Sequence, residues 1–248
     1  MKSADSQSPI FPMCKLAEYT VSASSTRRRS LVRAQIKQTL DESEKRRWWY
    51  QDARAEIRKF IRVPGMRRQD LVAAAGRLRD SAATEIKKSA ADSFLASARA
   101  IEAFLPVAES VRSAKVIAAA GKRGDARLQR CGVQIVVAPD LLFLERGSEV
   151  VVGALKLHAS QEFKLDSEGL LNAASILHTY LHQNGDRPAR AHCTVVDLFT
   201  PAFECAPGRF KRRMEAVDAA CEEINGWWTA MYNRVRAEEA GKRRQQAP

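Results

Sequence analysis

The sequence predicts an α/β (α+β) protein: a small mixed sheet flanked by helices, with an N-terminal helical extension. Three observations carry this. The first 130 residues show helical spacing of apolar side chains, and the segment after Gly132 turns β-branched and punctuated by Gly and Pro. A helical pattern then separates two of the strand-like runs, which implies a crossover rather than a chain of hairpins.

The elements follow in order. Residues 1–26 are Ser-rich and without periodicity, and read as a disordered tail. Arg27-Arg28-Arg29 opens a basic helical region, 27–80. Within it, Glu44 to Arg62 places Tyr50, Ala53, Ile57, Phe60 and Ile61 on one stripe, and Val63-Pro64-Gly65 stops the helix. Helices are expected from Arg67 to Leu78 and from Ala82 to Leu105, before Pro106. Lys115 to Ala120 suits either a short strand or a helix, and Gly121 to Asp125 a turn. The α/β core, 81–236, then carries strands at GVQIVVAP, at Asp140 to Leu144 and at Glu149 to His158. Asp166 or Ser167 caps a helix over Glu168 to Gln183, and His192 to Phe199 is a further strand. In the last helix, Met214, Val217, Cys221, Ile224, Trp228, Met231 and Val235 step by three and four, a seam that fits the core or a protein partner's helix equally. Residues 237–248 read as a flexible tail.

Charge is unevenly placed. Lysines and arginines outnumber acids 27 to 14 up to Val133, and stand at 14 to 15 after it. A one-sided excess suits a polyanionic partner, most often nucleic acid. Arg47, Arg54, Arg58 and Arg62 fall in one narrow helical sector and form the candidate nucleic-acid-binding ridge. Trp48 and Trp49 beside it are expected to pack into the core rather than stack on bases.

Other classes find little support. No apolar run approaches the ~18 residues of a membrane span, and no secretory h-region is visible, so no membrane partner is expected and the cytoplasm is the expected location. Five scattered cysteines without CxxC suggest neither a zinc site nor a disulfide framework. No P-loop, GxGxxG, GxSxG or nucleophilic-cysteine context is recognisable. His178 and His182 share a helix face but have no third ligand marked, and read as structural. His158 is the histidine to watch, because strict alternation puts it on one face with Val150, Val152, Ala154 and Lys156.

A lysine in a valine-rich strand needs solvent or a carboxylate for its ammonium. If the two strands pair through Arg146-Gly147-Ser148, Asp140 meets Lys156 at the sheet edge. Pro139-Asp140, followed by a strand carrying Lys156, then a helix and a strand, resembles the PD-(D/E)xK nuclease superfamily over roughly Ala82 to Phe199. That resemblance implies Asp140 and Lys156 as catalytic residues, Asp140 as a Mg2+ ligand, and the Leu155 carbonyl as a further one. Ala154 stands where the family has Asp or Glu. Some members move that carboxylate to the next helix, which makes Glu168 the second candidate metal ligand, with Glu162, in the loop preceding that helix, behind it; Glu102, on the earlier helix, matches the additional helix acid of some members. The implied function is nucleic-acid binding, DNA ahead of RNA, by a protein of nuclease ancestry with weak or no cleavage. The alternatives are an active Mg2+-dependent nuclease with a relocated carboxylate, and a non-catalytic protein-interaction module.

Overall fold

The computed structural model describes residues 8–40, 49–112, 116–120 and 126–246. Their elements are β1 (Ile10–Pro12), α1 (Met13–Val21), α2 (Ser25–Leu40), α3 (Gln51–Arg62), α4 (Arg68–Thr84), α5 (Lys88–Phe104) and α6 (Ala108–Val111). There follow β2 (Val116–Ala120), β3 (Arg127–Arg130), β4 (Val133–Val136), β5 (Leu141–Glu145), β6 (Val151–His158), α7 (Ser167–Gln183), β7 (Cys193–Asp197), β8 (Ala202–Cys205) and α8 (Phe210–Gln246).

The fold is mixed α/β as expected, with two sheets where one was foreseen. A five-stranded sheet runs β2-β5-β6-β7-β8, and a three-stranded one runs β1-β4-β3. In the larger sheet only β6 and β7 are parallel, because α7 carries the chain between them; the other pairs are antiparallel. The GVQIVVAP strand leaves the main sheet. β4 pairs instead with β3 across the Cys131–Gly132 turn and, in parallel, with β1.

The five-stranded sheet separates two apolar clusters. On one face Leu141, Phe143, Leu155, Leu157, Val196 and Leu198 pack with Ile57 and Phe60 of α3, Leu71 of α4 and Ile101 and Phe104 of α5. On the other, Leu142, Val151, Ala154, Cys193 and Val195 pack with α1, α2, α7 and α8. Strict alternation along β6 fails at one point. Phe143 pairs with Gly153 but Leu144 with Val151, so Val152 is an inserted bulge residue. The bulge moves Val151 to the face of Ala154, and Val152 packs with Leu155 and Leu157. Gly153 is required there, since a Cβ would overlap the His192 backbone.

The N-terminal expectation is corrected. Residues 8–26 are ordered structure from β1 onward, and Phe11, Met13, Leu16 and Ala17 lie fully inside the core. Their apolar spacing, short and flanked by Ser, was hidden by local composition. The basic region 27–80 also divides. α2 packs against α8, whereas α3 and α4 sit across the sheet with α5. Much of α2's charge is met within the molecule: Arg28 pairs with Glu223 at 2.7 Å, Arg33 with Glu238, and Arg29 covers the Trp227 ring. Met214, Val217, Cys221, Ile224, Trp228 and Val235 are all buried in the chain's own core, so the seam is not free for a partner helix. Past Arg236 the chain stays helical to Gln246, with Glu238 bound to Arg33 and Arg234. Among the described residues no helix is long and apolar enough to cross a membrane.

Candidate functional site

Asp140 and Lys156 do meet at the sheet edge. Ala138 adopts φ +39°, the left-handed region that an alanine enters only at a cost of about 1 kcal/mol. Pro139 follows, and the kink delivers Asp140 to the first position before β5. The Asp140 amide donates to the Leu155 carbonyl at 2.8 Å. Lys156 Nζ donates to the Ala138 carbonyl at 2.6 Å, which holds the strained turn, and lies 3.7 Å from Asp140 Oδ2. The same Oδ2 accepts from the Leu157 amide at 2.8 Å.

A second cation arrives from the other side of the sheet. Arg54 on α3 donates to Asp140 Oδ1 at 2.8 Å. Asp140 is only 7% exposed, and each of its carboxylate oxygens has a partner, as burial of a polar group requires. This alters the reading of the ridge. Arg54 is committed to Asp140 and does not present its charge to a phosphate. Arg58 Nε donates to the Arg54 carbonyl at 3.1 Å. Arg58, Lys59 and Arg62 line a cleft of about 460 Å³ against Ala118 and Leu141, with no acid among its described lining residues. Arg47 lies outside the described residues, as do Trp48 and the turn at 121–125. Trp49 is not core: it is 42% exposed, just before α3.

The donors do not fit the implied Mg2+. Ala154 is fully buried between its sheet neighbours Leu142 and Cys193, where a carboxylate would find apolar surroundings. Glu168 caps nothing at the Asp140 edge. It sits exposed at the start of α7, on the cluster side that faces α8, and takes a two-pronged pair from Arg213 at 2.7 and 3.2 Å. Arg213 holds the Glu168 carboxyl below the usual range. Glu102 is bound by Arg79, and Glu162 lies near Tyr50. The Leu155 carbonyl already accepts the Asp140 amide. Among the described residues no three His, Cys, Asp or Glu side chains converge as a metal would require. A hard dication beside Asp140 would also have to displace Arg54 against like-charge repulsion.

One neighbour was not foreseen. Cys14, in the first turn of α1, lies within the electrostatic reach of His158, Lys156 and Arg54. Burial alone would raise this thiol, but His158, Lys156 and Arg54 outweigh it and bring it below its ordinary value. Burial likewise pushes His158 down, yet the Cys14 sulfur, the Phe163 carbonyl and Asp197 hold it up at about 9. Cys14 stood in a segment read as disordered, so its nearness to His158 depends on where the tertiary structure places α1. His178, by contrast, behaves as a structural residue, with its ring 4.5 Å from Phe210 and its titration pushed down by burial and by His182.

Compared with protein-family models and with curated proteins, the chain matches none.

Proposed function

We propose that this protein binds nucleic-acid backbone along α3 and its cleft, and that the Asp140–Lys156 edge is a non-cleaving relic of a PD-(D/E)xK-like site. The cleft formed by Arg58, Lys59 and Arg62, with no acid among its described lining residues, is the observation that carries the reading. Positive side chains without carboxylates to neutralise them attract phosphates and release counterions on binding. Trp49, exposed ahead of the same helix, supplies a face on which an unpaired base stacks. The lack of cleavage follows from the donors: Asp140 is compensated by Arg54, Lys156 and an amide, and position 154 offers no second carboxylate.

The test is fluorescence anisotropy with labelled duplex DNA, single-stranded DNA and RNA from low to high salt. Wild type is expected to lose affinity steeply as salt rises. Combining Arg58→Glu, Lys59→Glu and Arg62→Glu should flatten the log–log salt slope by roughly two to three for a duplex. An unchanged slope in that variant would remove the cleft from the proposal. The same samples, incubated with Mg2+ or Mn2+, should leave the polymer intact. Metal-dependent cleavage that disappears in Asp140→Ala would replace the binding-only reading with an active nuclease.

A further inference from the structure

Between α2 and α8 lies a groove of about 460 Å³, on the opposite side of the five-stranded sheet from α3 and its cleft. Helical spacing builds both walls. Arg29, Ser30 and Arg33 come from one face of α2, and Trp227, Met231 and Arg234 from one face of α8. Trp227 and Met231 are half-buried against the core and give the groove an apolar floor. Gly226 opens the space beside them. A glycine inside a helix is less favourable than an alanine, yet a Cβ there would meet nothing within 4 Å, so no packed neighbour requires the gap. The walls also carry more positive charge than they neutralise. Arg33 and Arg234 share one carboxylate, that of Glu238, which Arg234 reaches at 3.3 Å. Arg29 is held over the Trp227 ring, 5.2 Å from its centre, and among the described residues has no carboxylate partner. No acid stands among the groove's described lining residues.

We propose that this groove binds a medium-chain carboxylate, its head on Arg29 and Ser30 and its hydrocarbon chain along Trp227 and Met231. Charge sets the head group. Glu238 already occupies Arg33 and Arg234, which leaves one uncommitted guanidinium and so one negative charge to bind. A guanidinium held over an indole keeps its N–H donors free, and their planar fork matches a carboxylate. The apolar floor sets the body. Indole offers a broad apolar face, and a methionine side chain adapts to the shape laid against it. From Gly226 to Val235 the α8 wall runs roughly 13 Å at the helical rise, room for an extended chain rather than a bare anion. The volume is that of a small-ligand site.

The full-length protein is titrated by calorimetry with decanoate below its micelle concentration, beside octanoate, acetate and decyltrimethylammonium. Decanoate should saturate one site, about three- to tenfold more tightly than octanoate, because each seated methylene adds burial. Acetate, a head without a chain, and decyltrimethylammonium, a chain with the wrong charge, should give no saturable heat. Arg29→Gln should weaken decanoate at least about tenfold, the share of a hydrogen bond between charged groups. Gly226→Leu fills the groove with a better helix former, so it should melt no lower than wild type and lose decanoate. Quenching of tryptophan emission by ω-bromodecanoate gives a reading independent of that variant, and should fall in Trp227→Phe. No saturable decanoate binding by wild type would overturn the proposal. So would decyltrimethylammonium bound as tightly, or decanoate retained by a folded Gly226→Leu.

Discussion

Replacing Arg54 with Met tests whether the buried Asp140 depends on its cross-sheet partner. Removing one member of a buried ion pair costs about 3–5 kcal/mol when the other is left alone. Asp140 would not be left alone, since Lys156 stands 3.7 Å away and the Leu157 amide stays bonded at 2.8 Å. Arg54 also has 27% of its side chain open to solvent, which weakens its share. The expected loss is therefore about 2 kcal/mol. For a chain of 248 residues that corresponds to a fall in Tm of roughly 4–8 °C by calorimetry. A double-mutant cycle with Asp140→Asn isolates the pair. The two changes together should cost about 1–2 kcal/mol less than their sum. If Arg54→Met costs under about 0.5 kcal/mol and shows no coupling, Asp140 is not held by Arg54, and the case against a metal at that carboxylate loses its electrostatic support.

Deleting residues 1–21 should prevent stable folding, detected as loss of the cooperative thermal transition, because Phe11, Met13 and Leu16 are fully buried. Gly153→Ala should destabilise by about 1–3 kcal/mol in urea melts, since the new methyl meets the His192 backbone rather than a side chain that can swing away. Trp228→Ala, emptying the space beside Phe11 and Tyr232, should cost about 3–5 kcal/mol. His178 titrates lower in the folded than in the unfolded chain. Below the unfolded value of about 6.5 the unfolded chain thus binds the extra proton, and stability falls as pH drops. His178→Phe should flatten that acid limb, and an unaltered limb would show that the ring is not kept neutral by its surroundings.

Where local periodicity was strong, sequence and structure agree closely. The step of three and four from Met214 to Val235 became the buried face of α8, and Asp166 caps α7 by accepting from the Gly169 amide at 2.7 Å. The Pro139-Asp140 turn and the hairpin through Gly147 set the Asp140–Lys156 meeting, because a short antiparallel connection leaves little choice of register. Other features depend on partners far along the chain. The bulge at Val152 comes from packing that strand alternation cannot express. β1 and α1 are too short to announce themselves, and they are fixed only by joining β4 and the α7–α8 surface. Arg54 and Asp140 are 86 residues apart. Composition thus placed the positive charge, but only tertiary contacts decided which of the described arginines are spent on acids. A salt bridge or a hydrogen bond forms where two distant segments are brought within a few ångströms, and spacing along one segment carries no record of the other.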